Sequence, residues 1–442
     1  MREVPIEQHQ LDNGLRIILS PDGAAPVVSV NIGYSVGSRH EPPGRTGFAH
    51  LFEHLMFQGS TNVAKGEHGA LIDAAGGRWN ATTTEDVTSY DQTVPTHQLE
   101  LALWLESERL GNLLPAITQE KLDNQREVVQ NERRQNFDNR PYGSWDEKLH
   151  ELIFPKNHPY HHSVIGSMDD LSAASLDDVT RFFSSHYAPN NAVLAVAGAF
   201  EPDRAMDMIG RHFGPIPANP DIPPPPEMAL SETMGREVRE VVPDAVELPR
   251  IYIANRIPPW GTAGFEPFDL ISDILGTGRA SRLEQRLIRE RRLAQDVSAA
   301  VIPFAFGAGV FVASATARPG IESEAIERAL FEEMAALGEI GPTDQDLERA
   351  RVLYRTTVTA DLEEAAERAE RLMNYGVLFN EPHRVNSDVE RYEAVTATEI
   401  RDGWTRLGGP DNRAVLTYVP KPATKRHDRT LLPPERCSRG SR

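Results

Sequence analysis

Residues 47–60 read GFAHLFEHLMFQGS and place His50 and His54 four positions apart with Glu53 between them. On a helix, positions i, i+3 and i+4 share one face. Two imidazoles on such a face can grip a borderline-soft divalent ion such as zinc. A carboxylate beside them can take a proton from water acidified by the ion. H-x-x-E-H inverts the commoner H-E-x-x-H zinc-peptidase signature. The bland reading is a solvated or packed histidine pair, and the apolar, glycine-bounded helical setting favours the metal site over it. A catalytic zinc needs three protein ligands and one open position, so a third ligand has to come from elsewhere. The helical run QREVVQNERRQ offers Glu132 and Glu127. A step of five positions turns a helix by roughly 140°, so the two cannot ligate equivalently, and spacing alone does not choose between them.

The elements that must position these groups alternate between strands and helices. LRIILS and VVSVNIGY read as strands, the second with alternation. THQLELALWLESERLGNLL and TQEKLDNQREVVQNERRQNF read as helices, and NAVLAVAGAF as a short apolar strand. The clearest boundary is FGPIPANPDIPPPPEMALSET, residues 213–233, where proline continues neither helix nor central strand. It divides the chain into an α+β domain over 1–214, a linker over 215–233, a second α+β domain over 234–420 and a flexible tail over 421–442.

The second half echoes the first. ATEIRDGWTRLGGPDNRAVLTYVP repeats the helix, turn and strand of LDDVTRFFSSHYAPNNAVLAVAGAF, and DLISDILGTG (269–278) follows the pattern of HLFEHLMFQG. In that echo Asp269, Ser272 and Asp273 stand where His50, Glu53 and His54 stand. This predicts a duplicated fold of mainly antiparallel sheets packed with helices, with chemistry in one copy only.

The chain has 442 residues, 40% of them hydrophobic, and a formal net charge of −19. Such a balance argues against nucleic-acid and anionic-membrane partners and leaves solubility, with a mild preference for basic substrates as the sharper alternative. The one cysteine, Cys437, permits no internal disulfide. MREVPIEQHQLDNGLRI lacks the apolar stretch of a signal peptide, and no apolar run approaches a membrane span. The expectation is a cytoplasmic chain, or a periplasmic one if an export signal has been removed. The histidines of HHSVIGS (161–167) read as surface or packing residues, since the ligand set is complete without them.

Taken together, GRTGFAHLFEHLMFQGS, GGRWNATTTEDVTSYDQTVP, LDNQREVVQNERRQNFDNRPYG, APNNAVLAVAGAF and GTGRASRLEQRLIRERRLAQDVSA resemble, in order and over nearly the whole chain, the inverzincin metallopeptidases typified by pitrilysin, insulysin and the catalytic subunit of mitochondrial processing peptidase. The resemblance implies two roll-like domains in a clamshell-forming subunit that holds one Zn2+ on His50, His54 and Glu132. It makes Glu53 the general base of a zinc-dependent endopeptidase acting on short or unfolded polypeptides. It also makes Asn80, Ala81 and Thr82 the lining of a sheet edge that receives substrate as an added strand. Two departures stand out. Gln125 occupies the place of a second glutamate seven residues before the distal ligand, where it can hydrogen-bond but adds no charge. Ile288 and Gln295 occupy the places of an arginine and a tyrosine that steady substrate and oxyanion, with Arg289 adjacent but facing elsewhere; losing an oxyanion donor typically costs on the order of 10²–10³ in rate. The implied partner is a homologous zinc-free subunit that supplies the Arg/Tyr pair in a heterodimer; failing that, the chain forms a homodimer. The rival within the same fold is a structural subunit like the core proteins of respiratory complexes, which need not keep His50, Glu53, His54 and Glu132 together.

Overall fold

The computed structural model describes residues 3–422. Most of the expected tail, with Cys437, lies outside them. Two sheets organise the chain. The first has strand order β1-β2-β6-β3-β5-β4, with β1 Glu7–Gln10, β2 Arg16–Pro21, β3 Val27–Tyr34, β4 Arg78–Thr83, β5 Thr88–Pro95 and β6 Ala192–Gly198. The second has order β7-β11-β8-β10-β9, with β7 Arg236–Asp244, β8 Arg250–Ile257, β9 Ala294–Ile302, β10 Gly309–Ala317 and β11 Asn412–Pro420. Between helix Pro202–Phe213 and β7 the chain forms neither helix nor strand.

The duplication is explicit in the pairing. In each sheet the last strand inserts into the interior and runs parallel to one neighbour, β6 to β2 and β11 to β7, and the remaining pairs are antiparallel. β4 and β9 hold equivalent outer edges. Both domains are therefore mixed sheets of mainly antiparallel pairs, as the pattern of apolar strands and intervening helices predicts. Among the described residues no helix is long and apolar enough to cross a membrane.

One arrangement departs from two self-contained halves. β6 is buried along its entire length, so both of its faces need cover. Ala192, Leu194 and Val196 face the helices of their own half. Val193, Ala195 and Ala197 instead join a core with Ala369, Leu372, Met373 and Val377, which lie on helix Ala365–Phe379 of the second half. The exchange is mutual. Helix Trp145–Ile153 of the first half sends Leu149 and Ile153 into a core with Tyr252, Val310, Leu416 and Tyr418 of the second sheet, and Trp145 stacks on Tyr252 at 5.2 Å. Gly33 on β3 is what lets helix Ala365–Phe379 sit so close, since a Cβ there would stand 2.0 Å from Met373 Sδ. Periodicity cannot assign these helices to the sheets they cover, because that assignment is carried by long-range packing.

The turn joining β4 to β5 is also tied across the halves. Asp86 accepts hydrogen bonds from Tyr160 Oη at 2.6 Å and from the Ala305 amide at 3.1 Å, and its carboxylate lies 3.1 Å from Arg39 Nε. A buried carboxylate with three partners is satisfied, and it fixes the end of the outer strand against the second domain.

Filling the Gly33 contact should loosen both halves at once. Gly33→Val is expected to destabilise the chain by about 1–3 kcal/mol through overpacking, as measured by denaturant titration. Intrinsic tryptophan fluorescence, to which both halves contribute, and far-UV circular dichroism should report one shared transition, and two separate transitions would contradict the interlock.

Candidate functional site

The helix Phe48–Leu55 is two turns long and buries Phe48, Ala49, Leu51, Phe52 and Leu55. The Phe52 ring packs 4.5 Å from Tyr187 and 5.3 Å from Phe183, which orients the helix by its apolar face. His50, Glu53 and His54 are left on the opposite stripe. Their Nε2 atoms bring His50 and His54 to 3.3 Å of one another. The helix begins at Gly47, whose φ of 86° lies in the left-handed region and whose missing side chain leaves the first turn without a cap of its own.

Glu132 arrives from helix Gln119–Arg133, which Thr118 caps by accepting from the Lys121 amide. Its Oε2 lies 3.7 Å from His50 Nε2 and 3.4 Å from His54 Nε2. The next residue anchors that end of the helix, with Arg133 meeting Glu147 through two parallel bonds of 2.6 and 3.0 Å. A single π turn, Arg134–Asp138, follows. Glu127 is exposed on another face, so the geometry brings Glu132, not Glu127, to the histidines.

Among the described residues, His50, His54 and Glu132 form the one group of three possible metal donors, with ligand atoms within 4.8 Å of one another. The donor set suits a zinc ion: two imidazole nitrogens and a carboxylate oxygen. Burial, with the neighbouring His54, lowers the pKa of His50 to about 4. The imidazole is thereby kept in the neutral form that a metal requires. His50 Nδ1 is buried without a hydrogen-bond partner.

Glu53 points to the strand edge. Its Oε2 accepts a 2.5 Å hydrogen bond from Thr83 Oγ1 at the end of β4. Burial raises the Glu53 pKa; the Thr83 hydroxyl, His54 and Arg109 oppose that shift, while Glu132 adds to it. Arg109 belongs to a buried set beneath the site. It lies over the Tyr90 ring at 4.1 Å and is held by Glu106, which also accepts from Gln92. Thr83, Glu106 and Arg109 escape a sequence reading, because a Thr-rich strand and a charged helix look like solvated surface.

β4 pairs with β5 on one side only, so its other edge is open among the described residues. Register places Trp79, Ala81 and Thr83 on the core face opposite Gln92, Tyr90 and Thr88, while Asn80 and Thr82 lie exposed on the other face. Gln125 is buried, but its amide donates to Asn124, and the structure gives it no bond to His50, His54 or Glu132. In the second half Asp269 accepts from Tyr392 Oη at 2.6 Å and Ser272 donates to the Asp269 carbonyl, so the equivalent helix spends its polar groups on packing. Ile288 packs against the second core, Gln295 lies exposed on β9, and Arg289 is engaged by Glu284 at 3.3 Å.

Residues 16–166 match the family described as Insulinase (Peptidase family M16), and residues 173–353 match Peptidase M16 inactive domain. The zinc protease PqqE of Helicobacter pylori is 29% identical over 374 residues, covering 84% of this chain and 83% of that protein. A solved structure of a protease from Helicobacter pylori has a TM-score of 0.89 at 25% identity, covering 95% of this chain and 100% of that one. Human cytochrome b-c1 complex subunit 1 is 26% identical over 273 residues, 60% of this chain and 54% of that protein. The periplasmic protease PqqL of Escherichia coli shares the fold, with a TM-score of 0.74 at 18% identity, over 95% of this chain but 48% of its own length. The fold thus occurs both as a subunit of a complex and as one half of a longer protease. With both matches in sequence order and together covering most of its length, this chain belongs to the M16 peptidase family.

Proposed function

We propose that the chain is the zinc-bearing subunit of a metalloendopeptidase that hydrolyses short or unfolded polypeptides. The convergence of His50, His54 and Glu132 on one point, with Glu53 beside it and bonded to an open strand edge, carries this reading.

His50, His54 and Glu132 would hold one Zn2+, which when bound supplies Lewis-acid polarisation and lowers the pKa of water. The remaining work falls to the chain. An extended peptide adds along β4, where main-chain bonds give affinity that tolerates many sequences. Glu53 takes a proton from the attacking water and returns it to the departing amine nitrogen. Its burial suits both steps, since a carboxylate with raised proton affinity is a better base and a usable acid. Thr83 ends the strand that receives the peptide and also bonds Glu53, so the base is held in register with the scissile bond.

The partner follows from what is missing. Ile288 offers no hydrogen-bond donor, and Gln295 is a weaker and differently shaped one than arginine or tyrosine. A homologous zinc-free subunit would supply the Arg/Tyr pair. The match of this chain to half of a longer protease supports a two-part enzyme.

Glu53→Gln is expected to retain zinc and lose cleavage of quenched fluorescent peptides by about 10²–10⁴-fold; normal turnover in that variant would overturn the mechanism. Chelation should abolish cleavage and added zinc restore it. Thr83→Val should lower kcat by up to about 10²-fold with KM little changed, and an effect confined to KM would remove Thr83 from the catalytic register. Affinity capture of this chain from its native source should bring down a similar-sized chain without H-x-x-E-H. A fully active homodimer would rule the partner out.

A further inference from the structure

The two ligand-bearing helices are far apart in sequence, and one loop touches both. The first turn of helix Phe48–Leu55 has no cap of its own, yet its amides are not left bare. Glu41 Oε2 accepts from the Gly47 amide at 2.9 Å, and Glu41 Oε1 accepts from the Ala49 amide at 2.7 Å. Its side chain is fully buried. A carboxylate that spends both oxygens on one helix start resists sliding of the helix and rotation about its axis. Ala49 immediately precedes His50.

Glu41 is itself held by His162, whose Nε2–H is shared between Glu41 Oε2 at 3.0 Å and the Ser38 carbonyl at 3.1 Å. His162 opens the segment 162–170, which braces the helix entry at two further points. Asp170 accepts from the Thr46 amide at 2.9 Å and from the Thr46 hydroxyl at 2.6 Å. Gly166 lies so close that a Cβ on it would stand 2.2 Å from the Gly47 nitrogen. The same segment reaches the other helix, where Arg133, next to Glu132, donates to the Gly166 carbonyl at 2.6 Å.

We propose that segment 162–170 is the brace that sets the spacing between the His50/His54 helix and the Glu132 helix, and that His162 and Glu41 are its positioning residues. This rests on the reading of His50, His54 and Glu132 as zinc ligands. Neither His162 nor Glu41 touches the ion or substrate in this scheme. They act through the backbone that carries His50, which is how supporting partners tune a metal site.

The test compares His162→Leu, which removes the donor, with His162→Gln, whose amide can replace Nε2–H, in the full-length chain. The readouts are zinc affinity by competition with a chromophoric chelator and the d–d absorption of the cobalt(II)-loaded chain. His162→Leu should weaken zinc binding by roughly 10–100-fold and alter the cobalt spectrum, and His162→Gln should restore both. Glu41→Gln, which turns one acceptor into a donor facing an amide, should behave like His162→Leu; it provides a second route if His162→Leu does not fold. Zinc affinity and cobalt spectrum unchanged in folded His162→Leu would overturn the brace and leave the ligand reading intact. A wild-type chain that takes up no zinc in the same titration would overturn both. Neither readout needs cleavage, so an absent partner subunit does not obscure the result.

Discussion

The site depends on holding two helices at a fixed separation. His50 and His54 sit on one helix and Glu132 on another, and three donor atoms within 4.8 Å leave little tolerance for movement between them. A two-turn helix is marginal by itself. Phe52 packed among Tyr187 and Phe183 supplies orientation, and the polar contacts at its start supply position. The other helix is fixed near Glu132 by the paired bonds from Arg133 to Glu147. Everything the site can do follows from that separation and from the strand edge beside it.

Around this geometry the chain buries several acids. Glu41, Asp86 and Glu106 are buried, and each is matched by donors: two amides and His162 for the first, Tyr160 and the Ala305 amide for the second, Arg109 and Gln92 for the third. Burial raises the pKa of Glu85 to about 7, against the opposing effect of His150. Unpartnered, such groups would cost several kcal/mol each. Partnered, they are weak contributors to stability, since apolar replacements of the same volume often serve it as well.

Much of this is legible in the sequence, and the reason is locality. The stripe of His50, Glu53 and His54 is an i, i+3, i+4 pattern within a single helix, so periodicity suffices to find it. The choice of Glu132 over Glu127 needs either the family resemblance or the coordinates. The strands at VVSVNIGY and NAVLAVAGAF read directly because apolar runs bounded by turn residues have few other solutions. Thr83 bonding Glu53, Glu41 capping a helix six residues downstream, and His162 reaching back 121 residues to Glu41 do not read at all. A histidine in HHSVIGS carries no local mark that separates a surface position from a half-buried brace. The exchange of helices between the sheets is hidden for the same reason: an amphipathic helix declares its apolar face but not the surface that face will meet.

That exchange also imposes an order on folding. The outer face of β6 is complete by Gly198, but the residues that cover it lie on helix Ala365–Phe379. On a ribosome adding roughly 5–20 residues per second, the first sheet waits on the order of ten to thirty seconds with one apolar face uncovered. Helix Trp145–Ile153 waits longer still for β11, which is the last strand made. Neither domain can therefore finish folding before the chain is nearly complete, and during that interval each is a client for whatever holds unfinished chains apart. A fold that reads as two beads on a string is synthesised as one.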